Sequence, residues 1–215
     1  MSIFLLNSYV YEVADIPVDR IANAEAMSFN GTDQYVEVSN STAFNLGTAF
    51  TISGWFNFTS NKYQGLISFD NNLTRGWFLF QISTSNEIRL FDGTTTVTLK
   101  TSYTTTNQWD HFAITYNGTD VVFYINGVQQ TTQAASLDLQ TNGNDGVIGN
   151  NQFASGRFFN GKIDEVALFN TALSASKIQQ IYDATAVVDG VPQTANLFTG
   201  GLSSSLVYWN RMGDS

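Results

Sequence analysis

Apolar and polar residues alternate over short stretches along most of this chain. The clearest stretch runs from Phe50 to Phe58, FTISGWFNF, where one face would be apolar apart from Gly54 and the other face mixed. A period of two is typical of a β-strand that packs one face on a core. The same pattern predicts further strands at Tyr35 to Val38, Leu66 to Phe69, Trp77 to Ile82, Ile88 to Phe91, Val97 to Leu99, Phe112 to Tyr116, Val121 to Ile125 and Val147 to Ile148.

Turn dipeptides separate these apolar stretches. They are Asn30-Gly31, Asp92-Gly93, Asn117-Gly118, Asn126-Gly127, Asn142-Gly143, Asp145-Gly146 and Asn160-Gly161. Asn, Asp and Gly tolerate the positive φ angles that two-residue hairpin turns require. The sequence therefore predicts antiparallel strands, and the clearest hairpin is Phe112 to Ile125.

The stretch from Phe158 to Tyr182, FFNGKIDEVALFNTALSASKIQQIY, predicts how the domain ends. It should form a tight turn at Asn160-Gly161, a strand from Lys162 to Phe169, and a short helix capped by the Ser174 hydroxyl. This is the one helix that the sequence supports.

Strict alternation in this last strand would mix apolar and charged residues on both faces. One face would carry Ile163, Glu165, Ala167 and Phe169, and the other Lys162, Asp164, Val166 and Leu168. Since both faces contain apolar residues, we expect the strand to be covered on both sides. Asp164 would then need a partner, because an unpaired buried carboxylate is costly.

The composition excludes several classes of function and of stabilising site. With 9 Lys and Arg against 18 Asp and Glu, the formal charge of the 215 residues is -9, which opposes binding to nucleic acid. The absence of cysteine excludes disulfides and thiolate zinc sites. No apolar stretch is long enough to span a bilayer, and the first ten residues do not read as a secretory signal.

We predict three parts along the chain: an N-terminal arm at residues 1–26, one domain at 27–184 and a C-terminal arm at 185–215. The C-terminal arm loses periodicity except at Leu206 to Trp209. Arms of this kind fray unless they are tied down. We therefore expect neighbouring subunits, in a homo-oligomer or a larger assembly, to hold them.

Four motifs in series resemble the laminin-G-like jelly rolls of the concanavalin A-like lectin/glucanase superfamily. They are MSFNGTDQYVEV at Met27 to Val38, FTISGWFNF at Phe50 to Phe58, WDHFAITYNGTDVVFYINGV at Trp109 to Val128, and GKIDEVALFNTALSASKIQQIY at Gly161 to Tyr182. The resemblance implies an all-β, two-sheet antiparallel jelly-roll sandwich with one short C-terminal helix and extended terminal arms. One departure is Lys177, where the family commonly has an acid.

The resemblance also implies one structural calcium ion on the convex face, held by an acid of the closing strand and oxygens of the opening loop. In this chain these are Asp164 with Asn30 and Asp33, and such oxygen ligands suit Ca²⁺. The alternative is that Asp164 accepts backbone hydrogen bonds from the opening loop and joins the first strand to the last.

The sequence gives little support for catalysis. Retaining glycosidases need two facing carboxylates about 5 Å apart, whereas Asp164 and Glu165 are adjacent and should point to opposite strand faces. His111 is the one histidine and no serine or cysteine motif accompanies it, so a packing role is favoured. We therefore predict that the protein is not an enzyme.

The residues favour glycan binding over catalysis, because sugars are held by aromatic rings with amide and hydroxyl groups around them. Two clusters have this content. The first is Tyr63, Asn71, Asn72, Arg75 and Trp77, and the second is Asn150, Asn151, Gln152 and Phe153. The alternative interpretation, in which Trp77 is a core residue and the amides form turns, is favoured over any specific glycan contact.

The leading hypothesis is a non-enzymatic structural and adhesive module on a virion surface, such as a bacteriophage capsid-decoration or tail-associated protein that also binds glycans. The second is a carbohydrate-binding module of a bacterial surface or secreted protein, and the third a glycoside hydrolase or lyase. A fold alone does not decide among them. The expected partners are other surface subunits and a polysaccharide, with neither nucleic acid nor a membrane involved.

Overall fold

The computed structural model describes residues 16–71, 73–82, 85–153, 155–188 and 191–213. These residues form two antiparallel sheets packed face to face, with a helix and a small third sheet on one side. The predicted all-β sandwich is confirmed. No helix among the described residues is both long enough and apolar enough to cross a membrane.

The larger sheet has seven strands in the described part of the chain. They are β2 (Met27–Asn30), β4 (Phe50–Phe58), β9 (Asp110–Tyr116), β10 (Asp120–Ile125), β11 (Val128–Ala134), β13 (Asn160–Phe169) and β16 (Leu206–Asn210). Strand β13 lies against β4 on one edge and against β2 and β16 on the other. The hairpin of β9 and β10 forms as the sequence predicts, and Asn126-Gly127, with both φ angles positive, leads into β11.

The second sheet has six strands in the described residues. They are β3 (Val36–Val38), β5 (Gln64–Ser68), β6 (Phe78–Ile82), β7 (Glu87–Phe91), β8 (Thr96–Lys100) and β12 (Gly146–Ile148), in the spatial order β3, β12, β5, β6, β7, β8. The core lies between the two sheets and is rich in phenylalanine. Phe58, Phe112 and Phe159 are each at most 1 % exposed and their rings touch, so truncating one of them should cost about 3–5 kcal/mol.

A third layer covers the outer face of the seven-stranded sheet. It consists of helix α1 (Ala175–Asp183), capped by Ser174, and a three-stranded sheet of β1 (Arg20–Ala22), β14 (Ala186–Val188) and β15 (Val191–Ala195). Apolar residues of this layer pack on Ala167 and Phe169 of β13 and on Ala113 of β9. The described parts of both terminal arms therefore pack on their own sandwich, and β16 extends one of its sheets.

Strand β13 is covered on both faces, as predicted, but strict alternation is wrong for its second half. Glu165 has a φ of +53° and the register against β4 shifts between Asp164 and Ala167, so a β-bulge resets the alternation. Val166 and Leu168 consequently join Ile163 in the core. Asp164 and Glu165 both reach the outer face instead of opposite faces.

The predicted tight turn at Asn160-Gly161 is also wrong, because both residues belong to β13. Gly161 pairs with Phe29 on one side and Phe58 on the other. A Cβ atom at Gly161 would lie 1.9 Å from the carbonyl oxygen of Asn57. This glycine allows a close approach of backbones within the sheet, which the dipeptide pattern does not distinguish from a turn.

Candidate glycan-binding site

Strand β6 carries apolar residues on both faces. Leu79 packs in the core, while Phe78 and Phe80 lie on the outer face of the six-stranded sheet and are only 3 % and 4 % exposed. Other side chains must therefore cover these two rings on the outer face of the sheet.

Phe78, Phe80 and the side chains that cover them come from four segments of the chain. We call this group of residues the arginine–aromatic surface. Its members are Tyr63, Arg75, Phe78, Phe80, Phe91, Phe153 and Arg157. The ring centroids of Phe78 and Phe80 are 4.6 Å apart, and Tyr63 stacks on Phe80 at 5.5 Å. The surface is thus a continuous set of rings with guanidinium groups between them.

Arg75 is held in this surface on two sides. Its guanidinium carbon lies 3.9 Å from the ring centroid of Phe153 and 4.6 Å from that of Phe91. Its Nε donates to Oδ1 of Asp70 at 2.8 Å, and this carboxylate is fully buried. Burial raises the pKa of Asp70, and the hydrogen bond from Arg75 opposes that rise.

Arg157 has a different environment. Its guanidinium carbon lies 4.2 Å above the Tyr63 ring and 5.5 Å from that of Phe153, and its Nη1 donates to Oδ1 of Asn151 at 3.2 Å. Among the described residues, no carboxylate lies within ion-pair distance of Arg157. Arg157 therefore offers a stacked, partly exposed cation with donors that an incoming ligand can use.

Buried amides position these side chains. Asn151 is fully buried, donates to Oγ of Ser68 at 3.2 Å, and accepts from the backbone N–H of Phe153 at 3.1 Å. Gly65 makes room for this segment, because a Cβ atom there would lie 2.4 Å from the backbone of Asn150. The loop that carries Phe153 and Arg157 is thus fixed to β5 by hydrogen bonds and close packing.

The structure divides the first predicted glycan cluster. Tyr63 and Arg75 come together through Phe153 and Arg157, and this arrangement also joins the two predicted clusters. Asn71 forms a turn, accepting from the N–H groups of Leu73 and Thr74. Asn72 lies outside the described residues.

Trp77 does not belong to the glycan site. It is 0 % exposed in the core between the sheets, and its indole N–H donates to the carbonyl of Phe44 at 3.2 Å. No ligand on the outer face can touch it, so the proposed glycan contact is corrected to a packing role, the alternative that the sequence favoured.

The predicted calcium ligands are not brought together. Asn30 and Asp33 hydrogen-bond to each other at 2.8 Å, but Asn30 pairs with Asn160, four residues before Asp164 on β13. Four residues of a strand span about 13 Å, too far for one ion to bind both groups. Among the described residues no three His, Cys, Asp or Glu side chains form a metal cluster. A structural calcium ion stays a prediction.

His111 has a serine neighbour that sequence reasoning missed. Its Nε2 lies 3.0 Å from Oγ of Ser53 in the outer face of the seven-stranded sheet, beneath the third layer. Nδ1 of His111 has no hydrogen-bond partner among the described residues, so no carboxylate orients the ring as in a catalytic triad. Burial lowers the pKa of His111 to about 3, which keeps the ring neutral.

Sequence reasoning also missed Phe78, Phe80, Phe91 and Arg157 as members of the surface. The signal for Phe78 and Phe80 was present, since the run WFLF at Trp77 to Phe80 is apolar without alternation and predicts a strand covered on both faces. Nothing local marks Arg157, because its partner Tyr63 is distant in sequence.

Comparisons with known proteins agree with this architecture. Residues 30–179 match the laminin-G model of the concanavalin A-like lectin/glucanases superfamily, and the chain belongs to this family. No curated protein sequence matches the chain.

Several solved structures share the fold. Domain 4 of AbnA, an extracellular arabinanase of Geobacillus stearothermophilus in complex with arabinotriose, aligns with a TM-score of 0.58 at 19 % identity, over 72 % of this chain and 74 % of that one. The CBM40 of the Ruminococcus gnavus IT-sialidase, bound to α2,3-sialyllactose, gives 0.58 at 15 % identity, over 77 % and 99 %. A SAP-like pentraxin from Limulus polyphemus gives 0.51 at 12 %, over 80 % and 77 %. At these identities the likeness shows the fold.

Proposed function

We propose that this protein is a non-enzymatic carbohydrate-binding module and that the arginine–aromatic surface is its glycan site. The observation that carries the proposal is the stacking of Arg157 on Tyr63 beside Phe153, with no carboxylate partner for Arg157 among the described residues. A ring and a guanidinium without a carboxylate partner, side by side, offer a sugar both a stacking face and hydrogen-bond donors.

The surface suits a glycan because its groups are fixed before binding. Tyr63 and Phe153 are only partly exposed, and Asn151 anchors the loop that carries Phe153 and Arg157. A preformed site loses little conformational entropy on binding. Structural neighbours that are complexes with carbohydrates, such as those with arabinotriose and sialyllactose, support the proposal at the level of the fold.

The carboxylates near this surface do not favour hydrolysis. Asp70 and Glu87 are each ion-paired with an arginine, Arg75 and Arg89 respectively. A retaining glycosidase needs two carboxylates facing the sugar about 5 Å apart, one acting as the nucleophile and the other as the acid and base. Asp164 and Glu165 lie on the opposite side of the sandwich, so they cannot supply the pair.

A glycan array with neutral and acidic oligosaccharides tests the proposal. We expect the full chain to bind a subset of glycans, and Tyr63→Ala and Arg157→Ala to weaken that binding about tenfold or more, as for central aromatic and arginine contacts in other interfaces. Phe198→Ala, which removes an aromatic ring that is 68 % exposed on the opposite side, is the matched control. No binding to any glycan, or release of reducing ends from a bound polysaccharide, would overturn the proposal.

The cellular context is a further part of the proposal. A surface or extracellular location fits a glycan-binding module, on a bacterial cell or on a virion such as a bacteriophage. The described arms pack on their own sandwich, which favours recognition over scaffolding as the main task. Analytical ultracentrifugation and pull-down with virion proteins test the virion role: a homo-oligomer that binds them supports it, and a monomer that binds none removes it.

A further inference from the structure

A cleft of about 590 Å³ lies between the seven-stranded sheet and the third layer, on the side of the sandwich away from the arginine–aromatic surface. Its walls include Asn23, Glu25, Trp55, Trp109, Lys162 and Asp164, and β14 and β15 close the other side. The volume falls within the range of about 300–1,000 Å³ that is common for small-ligand sites.

The cleft exists because of segments outside the family match. The match covers residues 30–179, whereas one wall is made by residues 23–26 and another by residues 185–186 and 192–194. Trp55, Trp109, Lys162 and Asp164 come from the matched sandwich. The arms therefore convert an outer sheet face into a concave site.

The aromatic part of the cleft is fixed. The Trp55 ring stacks on Tyr182 with centroids 5.9 Å apart and touches His111 at 5.2 Å. Trp55 and Trp109 are both partly exposed, and neither indole N–H has a hydrogen-bond partner among the described residues. Indoles of this kind present an apolar face and a polar edge to a ligand.

The polar part of the cleft includes an oriented amide. Nδ2 of Asn23 donates to Oδ2 of Asp164, and the reverse orientation would set two acceptors against each other. Oδ1 of Asn23 is thereby fixed, and it is buried without a donor among the described residues. A ligand hydroxyl at this end of the cleft would supply the missing donor.

The charge of the cleft separates it from the arginine–aromatic surface. Two carboxylates, Glu25 and Asp164, accompany one cation, Lys162, so the lining has one excess negative charge. The arginine–aromatic surface has two arginines, Arg75 and Arg157, and one adjoining carboxylate, Asp70, which pairs with Arg75, so it has one excess positive charge. An acidic sugar is therefore disfavoured in the cleft.

We propose that this cleft is a second binding site, which takes a short uncharged oligosaccharide. The indole faces stack on the apolar side of a sugar ring, and the carboxylates, the ammonium and the indole N–H groups bind its hydroxyls. This site does not depend on the arginine–aromatic surface, and either one can fail without the other.

Isothermal titration of the full chain with uncharged trisaccharides tests the site. The probes are cellotriose, xylotriose, mannotriose, maltotriose and arabinotriose, and galacturonic acid trimer and sialyllactose serve as acidic counterparts. We expect at least one uncharged probe to bind, Trp109→Ala to weaken it about tenfold or more, and Tyr63→Ala to leave it unchanged. Ala24→Trp, at an exposed position on the rim, should block the cleft with no change in melting temperature.

The second site would be overturned if no uncharged probe binds, if an acidic probe competes for the position that Ala24→Trp blocks, or if both cleft variants bind like wild type. If Tyr63→Ala alone removes all glycan binding, the second site is excluded while the proposed function stands. The Ala24→Trp variant keeps the test decisive if Trp109→Ala fails to fold.

Discussion

The side-chain amide of Asn23 donates to Oδ2 of Asp164 at 2.9 Å. This hydrogen bond joins the segment between β1 and β2 to strand β13 of the larger sheet. Asp164 is 5 % exposed, and its Oδ1 accepts from the backbone N–H of Glu165 at 2.8 Å, within the bulge of β13. Asp164 thus links the N-terminal segment, the bulge and the cleft.

Asp164→Ala should lower the stability of the protein. The change removes the acceptor from Asn23 and from the bulge N–H, and a buried donor left without a partner costs about 1–3 kcal/mol. Urea unfolding followed by fluorescence gives the free energy. Asp33→Ala is the control, because this exposed loop residue should change the value by less than about 1 kcal/mol; equal effects of the two variants would contradict the role of Asp164.

Chelation with EDTA distinguishes Asp164 as a hydrogen-bond acceptor from Asp164 as a calcium ligand. Because the partners of Asp164 include an amide and a backbone N–H, and Asn30 lies about 13 Å away along the strands, we expect EDTA to leave the melting temperature unchanged. A drop in melting temperature with EDTA that added Ca²⁺ reverses would instead support a structural calcium ion.

Glu165 should make the stability depend on pH. Burial raises the pKa of Glu165 from its ordinary 4.5 to about 7; the Trp209 hydrogen bond opposes the rise, Asp164 adds to it, and Arg211 opposes it. A raised carboxyl pKa means that the folded state binds the proton more tightly than the unfolded state. The contribution of protonated Glu165 to the free energy of unfolding is therefore full below pH 4.5 and is lost as the pH rises through 7. Its magnitude is about 3 kcal/mol.

Glu165→Gln isolates this contribution, because glutamine cannot ionise. Between pH 5 and 8 the ionisation of Glu165 should lower the unfolding free energy of the wild type as the pH rises. We expect this fall to be absent in the variant. Glu37→Gln, at an exposed position, should follow the wild-type curve. Identical pH profiles of wild type and Glu165→Gln would show that Glu165 ionises normally.

His111 should stay neutral well below its ordinary pKa. Burial lowers the pKa of this histidine from 6.5 to about 3, so its contribution to stability is present above pH 6.5 and is lost as the pH falls towards 3. It is the one histidine of the chain, so its ring signals in an NMR spectrum are unambiguous. They should not shift between pH 8 and 5; a titration midpoint near 6.5 would mean that the ring is exposed.

Trp77 and Tyr63 should separate stability from binding. Trp77→Ala removes a fully buried ring and should cost about 3–5 kcal/mol, measured by urea unfolding, with glycan affinity of the folded fraction unchanged. Tyr63→Ala should do the reverse, because Tyr63 lies partly exposed under Arg157. Loss of glycan binding by a folded Trp77→Ala variant would contradict this assignment.

The sequence predicts most of the sandwich because its strands obey simple alternation and its hairpins carry Asn-Gly turns. It fails at Glu165, where one extra residue resets the faces of β13, and at Gly161, where glycine serves close packing within a strand. Strand β11 was also missed as a strand, since it is exposed and polar, VQQTTQA, and is specified by its partner β10.

The sequence predicted which kinds of residue form the candidate site, but not which particular residues come together there. Tyr63 and Arg75 were identified from their local clusters, whereas the stacking of Arg157 on Tyr63 depends on how the loop after β12 folds over β6. Trp77 and Phe78 are neighbours in sequence and lie on opposite sides of a sheet. Only the pairing of strands decides which of the two rings can face a ligand.

A crystal structure of the full chain with a glycan selected by the array tests the central claim most directly. The account predicts a sugar ring in contact with Tyr63 and hydrogen-bonded to the guanidinium of Arg157. Sugar density that avoids both residues, with Arg157 still stacked on Tyr63, would contradict the assignment of the arginine–aromatic surface as the glycan site.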